Sequence, residues 1–334
     1  MSALARRRLG AGGPEVCAIG LGCMGMSGVY GPADDAESIA TIRAALDAGV
    51  ALLDTGDFYG MGHNELLIRE ALSARERGEA LISVKFGALR GPDNRWAGND
   101  CRPAAVRNFL AYTLRRLGTD HVDVYRPARV DPQVPIEETV GAIAELARDG
   151  YVRHVGLSEV GAATLRRAHA VHPICDVQIE YSLLSREPEE ELLGACAQLG
   201  VAVTAYGVLS RGLLGGHFAA GAPAGDFRAH APRFTGERLA HNLELVERLR
   251  AAAERDGRSV AQLAIAWVLA KDPNVIALVG ARTRERLADA LRVLDEPLDP
   301  EVVAELDAAF PPGIAAGERY PEAALAQLDS ERRG

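Results

Sequence analysis

The strongest constraint on the fold is a regular alternation between short apolar runs and longer segments with apolar residues three or four positions apart. The short runs are rich in β-branched residues and are continuously apolar, which is typical of parallel strands covered by helices on both faces. Eight of them are predicted as strands, at residues 16–21, 51–54, 81–85, 122–125, 154–157, 176–179, 201–206 and 275–279.

The longer segments predict helices that follow these strands. They span residues 35–48, 64–75, 102–117, 136–149, 161–171, 188–199, 237–256 together with 259–271 in one unit, and 283–292. Eight strand–helix units in about 290 residues predict a single-domain (β/α)8 TIM barrel, with an open doubly wound sheet as the alternative. The barrel core is expected at about 16–292, preceded by a short N-terminal hairpin that plugs its bottom. An extra C-terminal helix and a tail are expected at 299–334.

Charge and cysteine content narrow the class of protein. The formal net charge of −9 argues against nucleic acid held by a basic surface. The five cysteines are odd in number and contain no CxxC pair, which favours a reduced, intracellular protein without a cysteine-built metal site. No apolar stretch follows the basic N-terminal residues and none is long enough to span a bilayer, so a cytoplasmic location without a membrane partner is expected.

One glycine motif imitates a dinucleotide-binding fingerprint. Residues 20–25 match GxGxxG after a strand, but the next helix begins only near Asp35. A Rossmann site needs the last glycine to open a helix at once, so that the pyrophosphate meets the helix N-terminus. The segment is therefore predicted to be a loop that lines the pocket.

Three residues point to acid–base chemistry at the C-terminal rim of the barrel. Asp54 ends the second predicted strand, Lys85 ends the third, and Tyr59 lies in the loop between them. A lysine in an apolar strand needs a carboxylate partner, and its charge beside a phenol would lower the phenol pKa and make Tyr59 a general acid. The alternative is a core ion pair with a bystander tyrosine.

Several segments, in order along the chain, resemble the aldo-keto reductases. Asp-Thr-Gly-Asp-Phe-Tyr-Gly at 54–60 and Lys-Phe-Gly at 85–87 are similar to the active-site signature of that family. Further similar segments are Gly-Leu-Ser-Glu at 156–159, Gln-Ile-Glu-Tyr-Ser at 178–182, Tyr-Gly-Val-Leu-Ser-Arg-Gly-Leu-Leu at 206–214, and 280–286 with Asp289.

The resemblance implies a barrel enzyme that interconverts carbonyl compounds and alcohols with NADP(H). It implies that Asp54, Tyr59 and Lys85 are catalytic, with Tyr59 donating the proton. It assigns the nicotinamide to Ser158, Gln178 and Tyr206, and the 2′-phosphate to Arg282 and Arg286. Cations at a helix N-terminus oppose the helix dipole, so a bound anion would also explain these two arginines. The full set of implied cofactor residues is Cys23, Met24, Ser158, Gln178, Tyr206, Leu209, Arg211, Gly212, Gly280, Arg282, Arg286 and Asp289.

The sequence departs from the family at the position of the fourth catalytic residue. Ala128 stands where the resemblance implies a histidine that orients the substrate oxygen. His63 and Arg126 are candidate replacements, or the donor is absent. Glu159, Gly207 and Ala290 also replace an asparagine, a serine and an asparagine of the family pattern.

Two functions remain open on this evidence. The first is an NADPH-dependent reductase acting on a small carbonyl or alcohol substrate, and the second is an NADPH-binding barrel with weak catalysis that senses redox state or regulates. The loops at 87–101, 207–236 and 311–334 are expected to determine the substrate specificity. A monomer or a weak homo-oligomer is expected.

Overall fold

The computed structural model describes residues 4–93, 95–218 and 226–331. Its strands, numbered along the chain, are β1 (Arg6–Arg8), β2 (Glu15–Cys17), β3 (Ile19–Gly22), β4 (Leu52–Gly56), β5 (Leu81–Phe86), β6 (Ala88–Arg90), β7 (Trp96–Asn99), β8 (Val122–Pro127), β9 (Val152–Ser158), β10 (Ile174–Glu180), β11 (Ala202–Tyr206) and β12 (Val275–Val279).

Eight parallel strands close into a barrel, in the order β3, β4, β5, β8, β9, β10, β11, β12 and back to β3. The predicted (β/α)8 fold is therefore confirmed, and an open doubly wound sheet is wrong. The predicted strand at 16–21 proves to be two strands. Its first residues pair antiparallel with β1, and only Ile19 onward joins the barrel. Both parts are apolar and buried, so composition alone did not separate them.

The helices surround the barrel at the predicted places, with ends that differ by a few residues. They are α1 (Asp35–Asp47), α2 (His63–Leu72), α3 (Pro103–Leu117), α4 (Ile136–Arg148), α5 (Ala162–Val171), α6 (Leu192–Leu199), α7 (Gly236–Asp256), α8 (Val260–Lys271), α9 (Arg284–Leu291), α10 (Pro300–Ala309) and α11 (Glu322–Leu325). The Asp34 side chain caps α1 by accepting from the Glu37 N–H at 2.7 Å. None of the described helices has both the length and the apolar character needed to cross a membrane.

The hairpin of β1 and β2 closes the N-terminal end of the barrel, as predicted. Leu9 is fully buried there and packs in a cluster with residues from the starts of several barrel strands, among them Leu52 and Ile276. The Arg7 guanidinium donates to the carbonyl oxygens of Leu269, Asp272 and Val275 around the start of β12. The bottom of the barrel is thus a packed apolar plug, which leaves the opposite end for chemistry.

A charged layer lies above this plug, inside the barrel. The fully buried Arg126 guanidinium lies 2.9 Å from the Asp176 carboxylate and donates to the hydroxyls of Ser83 and Thr204 at 2.8 and 3.1 Å. Ser83 Oγ donates in turn to Asp54 Oδ2 at 3.0 Å. The interior charges are therefore paired and hydrogen-bonded, as burial requires. Through Ser83 they also hold the position of Asp54 at the rim.

The insertions predicted to line the substrate site follow strands on the C-terminal side. The first contains the β6–β7 hairpin, with Ala88 opposite Asn99. The second runs through a short 3₁₀ segment at Ser210–Gly215, and its residues 219–225 lie outside the described ranges. The tail after α10 returns across the barrel mouth, where Arg319 and Tyr320 contact Tyr206 at the end of β11.

Candidate active site

Asp54, Lys85 and Tyr59 meet at the rim of the barrel. Strands β4 and β5 are paired in register with Asp54 opposite Ser83 and Gly56 opposite Lys85. The Lys85 ammonium is ion-paired with Asp54 Oδ1, and its Nζ lies 5.1 Å from the centroid of the Tyr59 ring. All three side chains are buried, so a lysine, a carboxylate and a phenol share one water-poor site.

The Asp54 carboxylate is held by three donors from neighbouring strands. Besides Lys85, its Oδ2 accepts from Ser83 Oγ at 3.0 Å and from Gln178 Nε2 at 2.7 Å. Gln178, which the resemblance assigns to the nicotinamide, therefore also anchors the Asp54 carboxylate. Such a fully bonded ion pair fixes the direction of the lysine, which a solvent-exposed pair would not do.

The protonation of Tyr59 differs from the sequence expectation. Burial, followed by the charge of Asp54, raises the pKa of the phenol well above its usual value near 10, and Arg129 acts against that rise. The expected lowering of the pKa by Lys85 is wrong, because desolvation of the phenol outweighs a cation that Asp54 already neutralises. Tyr59 is thus a neutral phenol that carries a proton.

Neither candidate replacement for the missing histidine reaches the rim position. Ala128 continues the strand ladder beyond β8, with its N–H donating to the Phe86 carbonyl at 2.8 Å. The Arg126 guanidinium is bound below it to Asp176. The His63 ring lies between Ser27, with Nδ1 at 3.1 Å, and Asp35, with Nε2 at 3.2 Å. Both side chains are therefore engaged elsewhere, which is the physical reason that they do not replace the histidine.

The residues expected to hold the nicotinamide line one side of the mouth. Gln178 of β10 is paired in register with Ser158 of β9, and Glu180 is paired with Tyr206 of β11. The Tyr206 hydroxyl donates to Glu159 Oε1 at 2.7 Å and lies 3.0 Å from the Tyr320 hydroxyl. The structure thus brings Ser158, Gln178 and Tyr206 together, and joins them to the tail.

Glu159, which replaces an asparagine of the family pattern, is part of a buried charge network. It is fully buried in the left-handed backbone region, with φ of 55°, and its carboxylate pairs with Arg319 at 2.6 Å. Burial would raise the pKa of this carboxyl, but the Arg319 guanidinium, together with the charge of Arg129 and the Tyr206 hydroxyl, outweighs it and lowers the value to about 2. Glu159 is therefore ionised, and its carboxylate is bonded to Arg319 of the C-terminal tail.

The loop that contains Leu209, Arg211 and Gly212, which the resemblance assigns to the cofactor, has an unusual backbone. Arg211 and Gly212 both have positive φ, 57° and 94°, and the Gly212 N–H donates to the Leu209 carbonyl at 2.9 Å. The Arg211 guanidinium donates to Glu180 Oε2 at 3.0 Å and lies 4.2 Å from the Tyr320 ring centroid. A positive φ at a non-glycine residue stores strain, which is common at binding loops.

Cations gather at the start of α9, where the 2′-phosphate is expected. Burial and the charges of Arg286 and Arg228 lower the pKa of Arg282, with Asp226 as the opposing charge. Arg284 instead forms an ion pair with Glu37 of α1 at 2.9 Å. Like charges held together at a helix N-terminus suit an anion, so these residues fit a phosphate-bearing cofactor.

The other predicted cofactor residues surround the same side of the barrel. The Cys23 N–H donates to the Asp54 carbonyl at 2.9 Å, and Met24 begins a 3₁₀ turn rather than a helix of the Rossmann type. Gly280 follows β12 against the backbone of Gly22. Asp289 accepts from Ser259 Oγ at 3.1 Å and from Gln262 Nε2 at 2.8 Å, which ties α9 to the start of α8.

Comparison with known proteins decides the family. The sequence model of the Aldo/keto reductase family matches residues 18–310. The chain belongs to the aldo-keto reductase family. A curated relative, the probable aldo-keto reductase 1 of Glycine max, is 39% identical over 317 residues, which cover 94% of this chain and 91% of that protein.

Solved structures of aldo-keto reductases have the same architecture. A glycerol dehydrogenase from Gluconobacter oxydans superposes with a TM-score of 0.83 at 29% identity, covering 94% of this chain and 98% of that one. The holo form of an aldo-keto reductase from Bacillus halodurans gives a TM-score of 0.77 at 26% identity, covering 95% and 98%. Aldo-keto reductases reduce carbonyl groups with nicotinamide cofactors, and this chain shares that chemistry at the level of the family.

Three charged residues at the mouth were missed by sequence reasoning. Arg319 pairs with Glu159 and Glu331, Glu180 pairs with Arg211, and Arg129 lies beside Tyr320. Arg319 lies beyond the barrel repeat, where no strand or helix period signals its position. Arg129 stands next to the substituted Ala128, and that adjacency was the available signal.

Proposed function

We propose that this protein is an NADPH-dependent reductase of aldehydes or ketones in which Tyr59 donates the proton to the carbonyl oxygen. The observation that carries the proposal is the buried Asp54–Lys85 ion pair, with its ammonium 5.1 Å from the Tyr59 ring centroid. Burying a lysine costs desolvation free energy, and cofactor binding alone does not require a buried lysine beside a phenol. Buried charges of this kind are common at catalytic sites.

The neutral state of Tyr59 suits a proton donor. When bound, the cofactor supplies the hydride that reduces the carbonyl carbon. The oxygen then takes the Tyr59 proton, and the positive charge of Arg129, which opposes the rise in the pKa of the phenol, favours the resulting phenolate. The raised pKa keeps the proton on the phenol until the substrate oxygen becomes basic, and solvent later restores it.

The preference for NADPH over NADH is part of the proposal. Arg282 and Arg286 lie at the start of α9, where burial and then the charge of Arg286 lower the pKa of Arg282. A 2′-phosphate would relieve this repulsion and accept a bidentate guanidinium.

A regulatory, NADPH-binding role is the second candidate. Two observations favour it, namely Ala128 at the usual histidine position and the Arg319–Glu159 pair that fastens the tail across the mouth. Rapid mixing of the NADPH complex with a reactive aldehyde separates the two functions. A reductase shows multiple turnovers, whereas a sensor shows a single slow oxidation of the bound NADPH.

The decisive experiment is Tyr59→Phe. The phenyl ring keeps the packing but lacks the proton, so turnover should fall by about two to four orders of magnitude while the Kd for NADPH hardly changes. Tyr112→Phe is the matched control, because Tyr112 is exposed on α3, and it should leave both quantities unaltered. Most of the wild-type turnover surviving in Tyr59→Phe would exclude Tyr59 as the acid.

A further inference from the structure

Arg129 has an unusual environment for a guanidinium at a barrel mouth. It follows Ala128 and is half-buried, with Nη1 donating to the Ala128 carbonyl at 2.6 Å and Nη2 to the Tyr320 hydroxyl at 3.4 Å. Across the residues that the structure describes, no carboxylate oxygen lies within 4.0 Å of this guanidinium. Its hydrogen bonds therefore go to a neutral carbonyl and a phenol, and the Glu159 carboxylate acts on its charge from beyond 4.0 Å.

Three other guanidinium groups in the barrel interior and at its mouth each have a carboxylate, whereas the buried Arg233 donates to Ser185 Oγ and to the Gly317 carbonyl. Arg126 lies 2.9 Å from Asp176, and Arg211 lies 3.0 Å from Glu180. Arg319 lies 2.6 Å from Glu159. Partly buried cations are stabilised when an anion completes their hydrogen bonds. Unlike Arg126, Arg211 and Arg319, Arg129 has no such anion within 4.0 Å among the described residues.

The Arg129 charge acts on the reacting groups. Burial raises the pKa of Tyr59, and Arg129 opposes that rise, while burial lowers the pKa of Lys85 and Arg129 adds to the lowering. Its neighbour Tyr320 also contacts Tyr206, the residue expected under the nicotinamide ring. Arg129 therefore lies within electrostatic reach of the place where a carbonyl would meet Tyr59.

We propose that Arg129 binds a carboxylate of the substrate, and that the substrate class is carbonyl compounds that carry a carboxylate group. This rests on the proposed reductase function. The fork of the guanidinium matches the two oxygens of a carboxylate. Ala128 offers no side-chain donor to the carbonyl oxygen, so in this proposal the substrate is oriented through its carboxylate instead.

The test compares two aldehydes of similar shape that differ in charge. With saturating NADPH, the substrates are 4-carboxybenzaldehyde and its uncharged ester, methyl 4-formylbenzoate. We expect wild-type kcat/KM to favour the carboxylate by about tenfold or more, since one charge-assisted bidentate pair contributes that much. Arg129→Gln should abolish the preference mainly by raising KM for the acid, while Arg129→Lys should retain part of it. Arg167→Gln, a surface residue paired with Glu137, is the control and should keep the preference.

A binding measurement keeps the result independent of turnover. Terephthalate, titrated into the NADPH complex and followed by cofactor fluorescence, should bind wild type about tenfold or more tightly than Arg129→Gln. Saturating NADPH occupies the sites that bind its phosphate groups, so the titration measures terephthalate binding at the substrate site.

Two outcomes would overturn the inference. One is equal use of the acid and the ester by wild type, with terephthalate bound equally by Arg129→Gln. The other is a loss of kcat in Arg129→Gln that is the same for acid and ester, which would make Arg129 a donor to the carbonyl oxygen instead. In both cases Tyr59-dependent reduction of the ester would leave the reductase function standing. Failure to reduce any aldehyde would contradict the proposed reductase function. The terephthalate titration would still test whether Arg129 binds a carboxylate.

Discussion

Glu159 and Arg319 form a two-pronged ion pair that fastens the C-terminal tail to the end of β9. Arg319 Nη1 donates to Oε1 at 3.0 Å and Nη2 to Oε2 at 2.6 Å. The Ser330 hydroxyl adds a third donor at 2.7 Å, and Tyr206 a fourth at 2.7 Å. The tail thus forms a wall of the candidate active site, because the buried Arg319 side chain is bonded to Glu159 of the barrel as well as to Glu331 of the tail.

Arg319→Gln should detach this wall and destabilise the protein. It leaves Glu159 buried without its main counter-charge, and loss of one partner of a buried pair typically costs about 3–5 kcal/mol in the free energy of unfolding. Urea denaturation measures the loss, and amide exchange should accelerate in residues 311–331 in particular. The double variant with Glu159→Gln should recover part of the stability, because it removes the stranded charge. Equal stability of Arg319→Gln and wild type would show that the tail does not depend on this pair.

The pH dependence of stability should reveal the buried carboxyl of Asp57. Burial, and then the charge of Glu65, raise its pKa from the ordinary 3.8 to about 8, with Arg116 opposing. The folded protein therefore keeps a proton that the unfolded chain loses near pH 3.8, so the contribution of Asp57 to stability declines as the pH rises from about 4 to about 8 and is constant above that. Asp57→Asn cannot ionise, so its Tm minus that of wild type should grow from pH 5 to pH 8 and then level off. Asp93→Asn, at an exposed position, is the control. A pH-independent difference for Asp57→Asn would mean that this carboxyl titrates normally.

Restoring a histidine at position 128 should increase the rate with simple aldehydes. Ala128 lies at the rim beyond β8, next to the end of β5 that carries Lys85. A donor to the substrate oxygen is worth up to about 10²–10³ in rate, and we expect Ala128→His to give about tenfold in kcat because it lacks supporting hydrogen bonds. The Kd for NADPH should be unchanged. A folded Ala128→His variant with lower activity toward every aldehyde tested would show instead that the alanine makes room for the substrate.

Cofactor choice should depend on two of the three arginines near the start of α9. Arg282→Gln and Arg286→Gln should each weaken NADPH binding by about ten- to a hundredfold, because each removes a charged partner of the 2′-phosphate, and should leave NADH binding nearly unchanged. Arg284→Gln is a control from the same segment, since that guanidinium pairs with Glu37. Fluorescence titration with each cofactor gives the ratio of the Kd for NADH to the Kd for NADPH. A uniform weakening for NADH and NADPH would place these arginines elsewhere on the dinucleotide.

The order of strands and helices and the residues of the rim were accessible from the sequence. Continuous apolar strands and helices of three- and four-residue spacing have local causes, so the barrel was predictable. The segment at 54–60 lies in a strand and the loop after it, so Asp54 and Tyr59 had to lie at the same end of the barrel as Lys85. The boundary between β2 and β3 was not predictable, because hairpin and barrel strands bury equally apolar residues there.

The tertiary structure alone decided how charge is distributed at the mouth. Glu159 and Arg319 are 160 positions apart and Arg129 and Tyr320 are 191 apart, and no local period links such residues. The same holds for the protonation of Tyr59, since the sequence shows a lysine nearby but not how far the phenol is removed from water. Backbone periodicity depends on neighbours along the chain and can be derived from the sequence. Burial and ion pairing depend on neighbours in space, and they exist only once the barrel has closed and the tail has docked on it.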